Sequence, residues 1–277
     1  MARTVNHAAE DDAAEREKTL EPVVERRNPK YVEAQKAKLA REPGGSYDIG
    51  NPTAPVGHAY GIATSVRLTT DFRRTWRRDS MDITPQQVID AITSAGVKNW
   101  VLMGLHGYVG YLAQPRATQG VDVMVDPNEK DLAVDAILER WPSLEKRDQS
   151  PIVIRFADPG EAHSGQPPQV VIDIMLPNDE CQFAILRDHV IIDPETGHRK
   201  PTREAALASK YSAIVSLYRE WIRKQQDAID FRTIVLPLPE LIDRDSVYQL
   251  GELIFEGAGA EILEFIQLAI ENKPFPV

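Results

Sequence analysis

The sequence predicts an α/β (α+β) chain, a mixed sheet flanked by helices and followed by a C-terminal helical region. Three observations predict it. Apolar runs at 99–103, 120–126, 152–156 and 170–176 have strand length, and 120–126 (GVDVMVD) alternates, with Val121, Val123 and Val125 on one face. Segments of helical period with recognisable start and stop residues lie between the earlier runs. From residue 202 the period turns helical and stays so. Strands mingled with helices, then helices alone, imply helical layers packed on a sheet.

Taken in order, residues 1–57 are a poor candidate for a core. Apolar residues are sparse, charges of both signs are mixed, and EPGGSYDIGNPTAPVG is rich in Gly and Pro. They are expected to be a largely disordered extension and linker. Residues 58–80 read as a connecting segment carrying a basic and aromatic cluster, Phe72, Arg73, Arg74, Trp76, Arg77 and Arg78. Such a cluster could meet phosphates and a base, or be a solvated stretch pinned by its aromatics.

The main domain is expected over 81–235. Thr84 followed by Pro85 is an N-cap with proline at the first helical position, Val88, Ile89 and Ile92 recur at helical spacing, and Gly96 stops the helix. Residues 99–103 (NWVLM) are a strand, and 104–111 turn back into a helix. In 120–126, Val121, Val123 and Val125 share one face and Asp122 takes the other. Leu132, Ala136 and Ile137 mark a helix ending near Trp141. Residues 152–156, 170–176 and 184–192 are expected as strands. Tyr211, Ile214, Val215, Tyr218, Trp221 and Ile222 make an apolar stripe on one long helix. A further helix is expected over 227–235, and two more in 236–277 pack on the domain.

The bulk numbers narrow the function. Net charge is −10 over 277 residues, so any contact with nucleic acid would come from a local patch. Cys181 is the one cysteine, which excludes an intramolecular disulfide and fits a reducing, cytoplasmic compartment. No apolar run is long enough to span a bilayer, and the charged N-terminus has no apolar signal region. There is no P-loop, no dinucleotide fingerprint and no G-x-S-x-G elbow. PETGHRKP at 194–201 reads as a polar turn.

The informative stretch is 104–125, GLHGYVGYLAQPRATQGVDVMV. A strand ends at Gly104, His106 and Gly107 follow in a turn, and a helix begins. Glycines there can let backbone N–H groups approach a phosphate. Asp122 then stands on a strand, and Asp173 stands in the middle of another, VIDIM. Strand interiors disfavour aspartate. Two carboxylates presented from one sheet could share Mg²⁺, which takes oxygen ligands and completes its shell with water and phosphate. Alternatively they could be structural, paired with Arg116 or Arg155. His106 could be a phosphate contact, a general base or a hydrogen-bonded turn residue.

These residues resemble the nucleotidyltransferase superfamily, and particularly its AbiEii-type toxins. Members show a Gly-Gly or Gly-Ser turn, an Arg-x-Thr-x-Asp-x-Asp strand and a later strand with a third Asp. PRATQGVDVMV matches at Arg116, Thr118 and Asp122, and Asp173 matches the third aspartate. Lys210, Arg219, Lys224, Asp227 and Asp230 are similar to the family's helical K…R…K-D-x-x-D motif, with two residues intruding after Lys224. The resemblance covers 81–235.

It implies that Asp122 and Asp173 are catalytic and hold Mg²⁺ or Mn²⁺. Gly104, His106, Gly107, Arg116, Thr118 and Lys210 would bind a nucleoside triphosphate or another phosphate-bearing ligand. The nucleotidyl group would pass to an RNA or protein acceptor, and an antitoxin partner is implied. Two departures stand against this. Gly120 occupies the position of the first aspartate and supplies no ligand, and Leu105, after the first glycine, is expected to crowd a phosphate. They favour an alternative: a catalytically inactive relative serving as a nucleotide-binding, regulatory or protein-interaction module.

Overall fold

The computed structural model describes residues 55–276, apart from 79, 113 and 162–168. The expected extension at 1–57 therefore lies almost wholly outside the described residues. Helix α1 (Pro55–Trp76) takes up most of the segment read as a connector. Helix α2 (Pro85–Ser94) starts as its sequence dictates. The Thr84 side chain accepts from the Gln87 N–H, the Gln87 side chain accepts from the Thr84 N–H, and Pro85 fills the first position.

The chain then runs through β1 (Trp100–Leu102), the short helix α3 (Gly104–Tyr108), β2 (Val121–Val125), α4 (Lys130–Arg140), β3 (Glu145–Gln149), β4 (Val153–Asp158) and β5 (Gln169–Met175). After these come α5 (Glu180–Asp188), a hairpin of β6 (Val190–Ile192) and β7 (Arg199–Pro201), and α6 (Arg203–Val215). Helices α7 (Trp221–Val235), α8 (Arg244–Glu252) and α9 (Ala258–Ile270) complete the order.

The five-stranded sheet has the order β1-β2-β5-β4-β3. β2 and β5 pair in parallel and the other neighbours are antiparallel, so the sheet is mixed as expected. Alternation assigns its two faces. Val121, Val123, Val125, Ile172, Ile174, Ile154 and Phe156 pack with Val88, Ile92 and Ile137 of α2 and α4. The opposite face carries Asp122, Met124, Asp173 and Arg155. There Met124 joins a second core built from α6 to α9, with Tyr211, Phe231 and Phe265 at its centre.

Two expectations need correction, and one strand was not expected at all. Residues 184–192 are mostly helix, not strand. Asp179 caps α5 by accepting from the Gln182 N–H, and Cys181, Ala184 and Ile185 are buried at helical spacing, leaving only Val190–Ile192 extended. The long apolar helix is two helices broken at 216–220. Leu217 and Tyr218 are almost fully exposed, and Trp221 and Ile222 face outward, because α7 turns Asp227, Asp230, Phe231 and Ile234 inward. Strand β3, EKRDQ, has no apolar alternation to reveal it. It is a charged edge strand held by pairing to β4, a composition that discourages a further strand from adding.

Candidate functional site

The register of β2 and β5 brings together the two carboxylates that stand 51 positions apart in the sequence. Asp122 is the direct partner of Asp173 across the parallel pair, and Arg155 is the direct partner of Asp173 across β4–β5. The three side chains form a row on one face of neighbouring strands, with Arg155 Nε 3.8 Å from Asp173 Oδ1. The row floors a cleft of about 680 Å³. Six basic and four acidic side chains line it, an excess of positive charge in an acidic chain.

Gly104 is the first residue of α3, two positions after β1, and lines the cleft. Its φ of +54° suits glycine, and a Cβ there would lie 1.7 Å from Asp122 Oδ2. The space of the missing side chain is filled by the Asp122 carboxylate. Burial, reinforced by the neighbouring Asp173, raises Asp122 to a pKa of about 7, while Lys210, Arg219 and Arg155 pull it back.

The cleft wall is an ion-pair network between α3, α6, α7 and the 116–119 loop. Lys210 donates to Asp227 Oδ1 at 2.7 Å and to Asp230 Oδ2 at 2.9 Å. Arg116 donates to Asp230 at 2.9 Å, and Arg219 Nε to Asp227 at 2.9 Å. The Tyr108 hydroxyl donates to Asp230 at 2.7 Å, and the Lys210 ammonium sits 4.6 Å from the centre of the Tyr108 ring. Both aspartates are buried. Burial by itself would lower Lys210, but Tyr108, Asp230 and Asp227 outweigh it and hold the ammonium above its ordinary pKa. Asp230 is held below its ordinary value, because Lys210 and Arg116 outweigh the upward push of its burial.

Helix α1 fixes the loop. Ser65 Oγ donates to the Arg116 carbonyl at 2.8 Å, and Thr69 Oγ1 accepts from the Thr118 N–H at 3.0 Å. Sequence reasoning missed both. Their spacing of four on one helix face was the available signal. It also missed Tyr108, and it treated Arg155 only as a structural partner.

Of the residues singled out from the sequence, Gly104, Arg116, Thr118, Asp122, Asp173 and Lys210 line one cleft. His106 and Gly107 do not. His106 is buried at 3 % exposure, and burial, with His198 and Arg116 nearby, lowers it to about 3, so it is a neutral interior group rather than a phosphate contact. Gly107 is a close-packing glycine: a Cβ would lie 2.2 Å from the Leu102 carbonyl oxygen. Leu105 is buried in the helical core and also borders the cleft. Lys224 is not among the cleft-lining residues, and Lys210 takes the carboxylates of Asp227 and Asp230 instead.

Gly120 decides how a metal could be held. A Cβ at this position would lie 2.6 Å from the Val171 carbonyl oxygen and 2.8 Å from its carbonyl carbon. The β5 backbone fills the direction a first aspartate would need. Among the described residues, no three His, Cys, Asp or Glu side chains converge to hold a metal. The three-aspartate set that the resemblance implies therefore does not fit. The Asp122–Asp173 pair fits one hard divalent cation whose other ligands are water and phosphate.

No family model matches the chain, and no curated protein matches it. Among the solved structures that do match is an antigenic nucleotidyltransferase-like protein from Paracoccidioides brasiliensis. It is 15 % identical with a TM-score of 0.40, covering 68 % of this chain and 93 % of that one. Among the described residues, no helix is long and apolar enough to cross a membrane.

Proposed function

We propose that the chain is a nucleotidyltransferase-like protein that takes a nucleoside triphosphate into this cleft and transfers its nucleotidyl group to an RNA or protein acceptor. What carries the reading is the in-register pairing of Asp122 with Asp173 on the floor of a cleft with excess basic side chains. Two carboxylates at adjacent strand positions repel each other. Their company is explained by a cation that both would bind.

In this reading, Asp122 and Asp173 would hold one Mg²⁺ or Mn²⁺, which would neutralise phosphate charge. Lys210, held by Asp227 and Asp230 at the cleft wall, would bring its positive charge to a phosphate oxygen. Arg116, tied to Asp230 and to the Ala117 carbonyl, lines the same cleft as Thr118 and would add its charge against the phosphates. The Asp227–Asp230 pair keeps the Arg116, Lys210 and Arg219 side chains in place before a ligand arrives, so little ordering entropy is spent on binding. The toxin relatives of the resemblance add an antitoxin partner and a cytoplasmic setting to this reading.

A second reading, a catalytically inactive module that binds the nucleotide without transferring it, is favoured by Gly120. The first carboxylate is missing and the backbone has closed over its place.

One experiment separates the two. Thermal unfolding is followed with each of the four NTPs in Mg²⁺ or Mn²⁺, alongside transfer of label from the α-phosphate to RNA or protein. Binding to the folded chain raises its melting temperature by mass action. Stabilisation with transfer, both lost in Asp122→Ala, supports the enzyme. Stabilisation without transfer supports the module. No stabilisation by any NTP rejects both.

A further inference from the structure

We propose that the cleft takes a single divalent cation, and that the Arg155 guanidinium supplies the second positive charge against the phosphates of the ligand. This rests on the nucleotide reading and goes beyond it by assigning a stoichiometry and a residue.

The first support is steric. The resemblance puts a further carboxylate two residues before Asp122 on its own strand, where it would help to hold a second cation. Residue 120 is a glycine, and the direction of its absent side chain runs into the carbonyl of Val171. No small rotation of a side chain opens that space, because the obstacle is backbone in a paired strand.

The second support is the row of charges. Asp122, Asp173 and Arg155 are consecutive in-register positions on β2, β5 and β4, and all three line the cleft. Alternation along β4 points Arg155 to this face, since Ile154 and Phe156 are in the core on the other. Its side chain is 42 % exposed, so the guanidinium reaches the cleft while its stem stays on the sheet. A guanidinium presents several N–H donors in a plane that suits a phosphate group.

The third support is the charge on the wall. Arg116, Lys210 and Arg219 face Asp227 and Asp230, which leaves one net positive charge there. On the floor, a dication would be balanced by Asp122 and Asp173. Arg155 then adds a positive charge to a floor that the dication and the two carboxylates leave neutral.

The test uses the full chain, Mn²⁺, and inorganic tripolyphosphate as a base-independent probe. Bound Mn²⁺ and bound phosphate are both measured by equilibrium dialysis. The wild type is expected to bind one Mn²⁺ per chain, and Asp122→Asn none. Arg155→Met is expected to keep the single Mn²⁺ while weakening tripolyphosphate by about ten-fold or more, with Arg155→Lys recovering part of the loss. Thermal unfolding of both Arg155 variants confirms that they are folded. Two Mn²⁺ per chain would overturn the single-cation site and leave the nucleotide reading standing. Tripolyphosphate affinity unchanged in Arg155→Met, with Mn²⁺ bound more tightly, would reduce Arg155 to a partner of Asp173 and overturn its role. Neither Mn²⁺ nor tripolyphosphate bound by the wild type would overturn the inference and the nucleotide reading together.

Discussion

Gly104 and Asp122 share one volume: the carboxylate of Asp122 lies where a side chain at 104 would be, 1.7 Å from the position of its Cβ. The turn that follows β1 and the acidic residue of β2 are thus specified together. The Met103 N–H, which donates to the Asp122 carbonyl at 2.8 Å, locks the same junction from the backbone side.

Gly104→Ala is expected to destabilise the chain by about 2–4 kcal/mol, combining a left-handed backbone penalty with a collision. Part of the cost should vanish in an Asp122→Ala background, where the carboxylate is gone. Urea unfolding of the two single variants and the double variant measures this coupling directly.

Gly120→Asp is expected to destabilise by about 1–3 kcal/mol and to add no metal ligand, because its Cβ would press on the Val171 backbone. From the sequence, the same change completes the acidic motif. Unfolding midpoints and Mn²⁺ stoichiometry of this variant, compared with the wild type, tell the two expectations apart.

Asp122 gives a pH dependence of definite sign. Its pKa is raised from 3.8 to about 7 in the folded chain, so the folded state keeps a proton that the unfolded state has released. The stability this contributes is fully present below 3.8 and is lost as pH rises towards 7. Asp122→Asn should therefore stabilise the chain at pH 8 relative to the wild type and should give little gain near pH 4. Urea midpoints across that range test it. Divalent cation at pH 8 should reduce the difference by binding the wild type alone.

His106 acts in the opposite direction. Burial lowers it from 6.5 to about 3, so the folded state refuses a proton that the unfolded state accepts below 6.5. Its contribution is present above 6.5 and falls by about 1.4 kcal/mol per pH unit below it. His106→Met should flatten the acid limb of a melting-temperature profile between pH 6.5 and pH 4.5. An unchanged limb would place the acid sensitivity elsewhere.

Asp230 is the centre of the wall network, accepting from Lys210, Arg116, Tyr108 and Gln226. Asp230→Ala is expected to cost about 3–5 kcal/mol, since it leaves cations without their buried partner. Lys224→Ala, outside that network, should stay within about 0.5 kcal/mol. Chemical denaturation of both variants checks the contrast.

The sequence by itself determined the local structure and the facing of residues. Thr84, Pro85 and Gln87 dictate the start of a helix through backbone hydrogen bonds made within four residues. The valines at 121, 123 and 125 force Asp122 to the other face, because a strand has period two. Charged β3 and the Asp179 cap left weaker or overlooked traces. What only the tertiary structure decided was which strands become neighbours and in what register. Nothing near residue 122 specifies that residue 173 pairs with it, or that Arg155 lies beyond, because those contacts are set by core packing on the far face of the sheet. For the same reason the closure of the β5 backbone over residue 120 could not be read from the chain. A sequence shows that a side chain is absent, and only the packed structure shows what has taken its place.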